Sequence, residues 1–191
     1  MTRATQVGWI TLLTAVVASA AQAGAIVEQF RSGAFGLPWS ASADAVQTRY
    51  PSGRWGNDTQ GHRQYCVASR QVIMKLPAPH QSRELCFLIG ADGTLASATA
   101  RMDASLPELL AVVNRARTMY GDFDAIRRDH GAIQSRFTYM LWTRERPFVV
   151  QVGSANDSDG RPTEVTFTVA DDASLHTKGA DAVSNRSVAA N

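Results

Sequence analysis

Lysine is almost missing from this 191-residue chain: Lys75 and Lys178 are the only two, so the positive charge rests on arginine. Guanidinium groups suit two-point contacts with carboxylate or phosphate, and arginine in place of lysine also accompanies GC-rich coding. No block of one charge sign occurs, and 19 Lys+Arg against 17 Asp+Glu leave a net charge of only +2. That near balance excludes both the basic stripe of a nucleic-acid binder and a polybasic membrane patch. Cysteine is equally scarce, with Cys66 and Cys86 alone and no CxxC pair, so the usual thiol-redox spacing is missing. Beyond the first twenty or so residues, no apolar run reaches the roughly 18 residues that cross a bilayer.

The familiar signatures of catalysis are also missing. His62, His80, His130 and His176 are scattered, with no HExxH or Cys/His grouping at ligand spacing. There is no G-x-S-x-G elbow, no S-x-x-K and no glycine-rich phosphate loop, so no metal and no cofactor is implied. Residues Asn156 to Gly160 look like a calcium loop, but registering Gly160 puts Ala155 at the first ligand and Thr166 at the bidentate acid. A turn between strands explains them better. Asp122 and Asp124 are close enough in sequence for a glycosidase acid/base pair, although acids after a helix ordinarily face water. A Ser/His/Asp set gathered from distant positions is recognised by geometry and not spacing. A small secreted hydrolase with a dispersed site therefore stands as the competing class.

What the chain does have begins at its N-terminus. Arg3 precedes an apolar core from Trp9 to Ala18, and small residues follow. This is the layout of an export signal, with Ala21-Gln22-Ala23 before Gly24 as the A-x-A cut and Ala18-Ser19-Ala20 as the alternative. No cysteine follows the apolar core to accept a lipid anchor. Removing 23 of 191 residues leaves 168, and a net charge of +1 once Arg3 is gone. That length makes one domain or two small lobes. The expected location is periplasmic or secreted, and an even cysteine pair there reads as a disulfide between Cys66 and Cys86.

Along the body, Ile26–Phe30 is short enough to be helix or strand, and a loop from Gly33 to Trp39 follows. Trp39, beside Pro38, is placed as an anchor against the core. Ser40 or Ser42 caps a helix through Tyr50, which Pro51 ends. Gly53–Gly61 reads as loop, Arg63–Ala68 and Gln71–Leu76 as strands, and Pro77–Ser82 as a turn. Arg83–Ile89 and Thr94–Met102 are strands joined by the hairpin signal Asp92-Gly93. Cys66 and Cys86 lie opposite the parity of Tyr65 and Phe87, so their bridge belongs on the back of the sheet. Ser105 and Glu108 spell a capping box, Leu106, Leu109, Leu110, Val113 and Tyr120 form an apolar stripe, and Gly121 stops the helix. Asp122–Gly131 reads as a charged connection. Three strands complete the body, followed by a polar tail from Asp171 that reads as disordered.

The expected class is α+β: two helix-plus-antiparallel-meander lobes, about 24–102 and 103–170, with a weak echo that suggests internal duplication. The wet face of the second meander is the expected functional surface, carrying Arg136, Thr138, Met140, Trp142, Gln151, Glu164, Thr166 and Thr168. Arginine and tryptophan among polar neighbours make up binding hot spots and sugar-stacking platforms alike. Trp55 with Arg54 is a second candidate. The competing reading of Trp142 is that it covers a sheet edge or packs beneath the tail.

Gly36-Leu37-Pro38-Trp39 before a Ser-capped helix containing Val46, then Tyr120-Gly121 and Trp142, resembles a loose group of exported bacterial proteins of unknown role that open with G-I/L-P-W-G-x-S. Ser40 stands where that group has its second glycine. The helix-then-meander order is similar to the outer-membrane assembly lipoproteins of the SmpA/OmlA type and to the two-lobed β-lactamase inhibitor protein. These resemblances imply binding of a protein or envelope component, with an assembly role as a variant. The chain lacks the lipidated cysteine of the assembly lipoproteins.

Overall fold

Ser42 and Ser105 each start a helix in the same way, through a side-chain oxygen that accepts an N–H three residues on. Ala45 donates to Ser42 at 3.3 Å and Glu108 to Ser105 at 3.2 Å. The computed structural model describes residues 24–58, 61–77, 80–130 and 136–171, with only the backbone at 129, 130 and 136. The expected leader at 1–23 and all of the expected tail but its first residue lie outside these residues; that first residue, Asp171, ends a strand. Three helices are described: α1 (Ala25–Phe30), α2 (Ala43–Arg49) and α3 (Leu106–Tyr120). The open choice at Ile26–Phe30 thus resolves as helix. Gly121, at φ +79°, turns the chain out of α3 at little cost because it has no Cβ.

The buried side of α3 differs from the expected stripe. Glu108, Val112, Ala116 and Tyr120 face inward, while Leu106 and Leu110 are 55% and 51% exposed. The line at i, i+4 wins because small Val112 and Ala116 let the helix sit close to the sheet. It also carries the Tyr120 phenol to Gln29 of α1, to which it donates at 2.7 Å. The capping box forms only in half: Ser105 N–H bonds to the Asp103 carbonyl, and the Glu108 carboxylate turns away to His80.

The strands are β1 (Arg54–Asn57), β2 (Arg63–Ala68), β3 (Glu84–Ile89), β4 (Leu95–Met102), β5 (Ala125–His130), β6 (Arg136–Trp142), β7 (Phe148–Asn156) and β8 (Pro162–Asp171). Two were expected as loop. β1 and β5 are the outer strands of the sheet, where pairing on one side suffices and charged residues are tolerated. Conversely, Gln71–Leu76 is no strand. Ile73, Met74 and Leu76 are all buried, so both parities point inward, and Met74 and Lys75 turn the chain at φ +50° and +55°. A bridge between Val72 and Gln81 and the hydrogen bonds between Gln71 and Ser82 tie this loop to itself.

All eight strands join one antiparallel sheet in the order β1-β2-β3-β4-β8-β7-β6-β5. Each half supplies a four-strand meander, and their last strands, β4 and β8, meet in the middle. The two expected lobes therefore share one sheet and one core. That core holds Phe87, Ala98, Phe167, Val169, Val150 and Val152 under Ile26, Val46, Val112 and Ala116 of the helices. Trp39 anchors as expected, donating to the Phe30 carbonyl at 2.7 Å and stacking on Phe148 at 5.3 Å. Cys66 and Cys86 sit directly opposite each other on β2 and β3, bridged on the face away from the helices.

Candidate binding surface

Strand register decides which side chains reach the uncovered face. Pairing of Thr99 with Thr168, and of Thr168 with Gln151, puts these residues in one row across β4, β8 and β7. The two threonine hydroxyls are 2.9 Å apart. Beside them Arg101 donates to Glu84 at 2.8 Å and lies 3.7 Å from Glu164. Gln151, Glu164, Thr166 and Thr168 thus stand on the face where the sequence placed them. Among the described residues no helix lies over it.

Strand β6 is reversed relative to expectation. Trp142 pairs with Val150, on the covered side, and is fully buried. Its indole N–H donates to the Gly121 carbonyl at 2.8 Å, and Tyr120 and Phe123 meet its ring edge-on at 6.4 and 6.1 Å. An indole enclosed in this way offers no surface to a partner, so Trp142 belongs to the core and not to the uncovered face. Met140 and Thr138 share its parity and leave the uncovered face as well. The cause is a one-residue difference in register, which swaps every side chain of a strand. Both parities of β6 are apolar, and the core took the larger ring.

The uncovered face receives Phe137, Tyr139 and Leu141 instead, all half-buried. Across from them on β7 lie Ala155, Gly153 and Gln151. A Cβ at Gly153 would come within 2.9 Å of the Tyr139 ring and 2.5 Å of the Thr166 hydroxyl, so only glycine allows this close approach. Phe137 and Tyr139 are parallel within 4°, with centroids 6.2 Å apart, and Arg127 of β5 holds its guanidinium 4.9 Å from the Tyr139 centroid. The result is a pair of aromatic rings laid beside the Thr166, Thr168 and Gln151 row. The sequence signal for it was the small residues at 153 and 155, which leave room for large neighbours.

The remaining candidates are dispersed. Arg136 opens β6 opposite Asn156, and its side chain lies outside the described residues. Trp55 sits on β1 at the far edge of the sheet, paired with Tyr65, with Arg63 4.1 Å over its ring. It is half-buried against the core and shares no surface with the Tyr139 region. Arg54, on the uncovered side of β1, pairs with Cys66.

Titratable groups form local pairs. Arg117 holds Asp122 at 2.6 Å, and Asp124 accepts Thr143 N–H at 2.6 Å together with Arg144 N–H and its guanidinium. Partial burial works against the Asp124 carboxylate, but these hydrogen bonds outweigh it and hold its pKa below the usual range. A carboxyl kept ionised in this way is a poor proton donor. The recess next to it, about 510 Å³ and lined by Asn114, Arg117 and Asp122, is wide open to solvent. His62 pairs with Asp58 at 3.0 Å and His80 with the buried Glu108 at 2.6 Å. His130 and His176 have side chains outside the described residues. Glu84 and the two cysteine sulfurs lie within 4.8 Å of one another, but bridged sulfurs supply no thiolates to a metal.

Comparison of the chain with protein-family models, with curated proteins and with solved structures returned no match. No helix among the described residues is long and apolar enough to cross a membrane.

Proposed function

We propose that this is an exported binding module that recognises a protein or envelope component through the uncovered face of its sheet. The observation that carries the reading is the Phe137–Tyr139 pair, laid over Gly153 and Ala155 beside a polar row. Large rings with polar rims make up the energetic centres of protein interfaces. The leader-like residues 1–23 and the Cys66–Cys86 bridge support a periplasmic or secreted location, where thiols oxidise. An assembly factor would use the same face with a longer-lived contact. The mirrored strand order supports a duplication behind the two meanders.

The test is retention of envelope components by immobilised protein beginning at Gly24. Tyr139→Ala with Gln151→Ala abolishes retention while the far-ultraviolet circular dichroism stays native. Equal retention by the wild type and this double variant overturns the reading. The hydrolase alternative is served best by the His62–Asp58 pair, and hydrolysis lost in His62→Ala alone would favour it.

A further inference from the structure

The cap of α1 comes from a distant part of the chain. Gly24 precedes the helix at φ +93°, exposed, with no side chain to accept the first N–H groups. Glu145, in the turn between β6 and β7 and 119 positions away, accepts Ile26 N–H at 2.8 Å and Val27 N–H at 3.3 Å through one oxygen. A six-residue helix has no independent stability, so tertiary contacts hold it. Ile26 is buried in the core, and Gln29 accepts the Tyr120 phenol. Tyr120 senses the same carboxylate: burial raises its pKa most, and the Glu145 charge raises it further.

We infer that processing cuts between Ala23 and Gly24, and that the α-ammonium created on Gly24 pairs with Glu145. The inference rests on the export reading above. Water adds across the Ala23–Gly24 peptide bond, under an endopeptidase beyond the membrane. The Ala23 carboxylate leaves with the leader, and the Gly24 amine, protonated below a pH of about 8, stays with the body. An ammonium at a helix N-terminus is ordinarily unfavourable, because it adds to the positive end of the peptide dipoles. Here a carboxylate already stands at that end. The Gly24 nitrogen lies two residues ahead of the Ile26 N–H that Glu145 holds.

Arg144, beside Glu145, is engaged with Asp124 and the Asp122 carbonyl; Arg146 flanks the other side, and Glu28 in the first turn of α1 is exposed. Cutting after Ala20 would leave three residues ahead of Gly24. It would move the charge by up to roughly 10 Å, about the screening length at 0.1 M salt, and put a neutral peptide N–H in its place. The pairing with Glu145 thus favours the same cut that the small-residue pattern puts first.

Two measurements test this. Intact mass and N-terminal sequencing of the exported protein should show Gly24 first; Ala21 first overturns the cut, and so does a full-length chain that is never exported. Separately, thermal melts at pH 6.5 compare purified forms beginning at Gly24, beginning at Ala21, and beginning at Nα-acetylated Gly24. The free Gly24 form should melt roughly 2–4 °C above the other two. In Glu145→Gln the three should coincide, and the acetylated form reads the pair even if that variant folds poorly. Equal melts in the wild type, or a gap that survives Glu145→Gln, overturn the ion pair whatever the cell does with the leader.

Discussion

Across β6 and β7, side chains one residue apart in sequence have opposite fates. Trp142 and Val150 are fully buried beneath the helices, while their neighbours Leu141 and Gln151 stand half-exposed on the other side. The covered face is held by close packing, with Ala98, Ala100 and Ala116 admitting helix to sheet and large rings filling the ends. The uncovered face is held by discrete links: one disulfide, the Glu84–Arg101–Glu164 ion pairs and the Thr99–Thr168 hydroxyls. The difference teaches that one side of the sheet is held by continuous packing and the other by a few separate links.

Four variants would break or sharpen this contrast. Trp142→Ala should cost the most, about 3–5 kcal/mol, read as a lower urea midpoint at equal slope. A loss near that of a surface substitution would mean the covered face is not the structural one. Removing the bridge with Cys66→Ala and Cys86→Ala should cost about 3 kcal/mol, because the loop it closes spans 20 residues. His80→Ala, which leaves the buried Glu108 carboxylate without its partner, should cost about 1–3 kcal/mol, with hydrogen exchange rising first in residues 69–82. Tyr139→Ala should cost under about 2 kcal/mol but remove partner retention, the reverse of the Trp142 pattern.

The smallest effect is a pH dependence at the β6–β7 turn. The Asp124 pKa is lowered in the folded state, so its stabilisation is complete above the ordinary carboxylate range. It is lost as pH falls through the depressed folded value. Asp124→Asn should flatten the acid limb of a stability–pH curve by under about 1 kcal/mol, since solvent screens the Arg144 pair. An unchanged acid limb would assign that turn no electrostatic role.

Much of the local structure was legible because it depends on neighbours in sequence. Ser105 and Gly121 marked helix ends through capping chemistry, Ser40 and Ser42 narrowed a third to two positions of which Ser42 is the cap, and Asp92-Gly93 marked a hairpin whose Asp92 carboxylate accepts from Thr94. The parity of the cysteines against Tyr65 and Phe87 put the bridge on the correct face. Reading failed where two faces were equally apolar, at β6 and α3, and where pairing overrode weak propensity, at β1 and β5. Of the expected binding residues, Gln151 stands on the uncovered face and Trp142 does not. Phe137 and Tyr139 stand there in place of Trp142, and nothing local shows which side of a strand a helix will cover.

The sequence alone determined the mixed α+β class, the serine cap of α3, the pairing of the cysteines and the leader-like start, since each follows from residues close together or from composition. Only the tertiary structure decided that the two meanders fuse into one sheet, that Trp142 turns inward, that Tyr139 lies over Gly153 and that Glu145 reaches the start of α1. Those outcomes rest on contacts between distant segments. There, a one-residue choice of register exchanges the two faces at no local cost, and only packing against the helices selects between them.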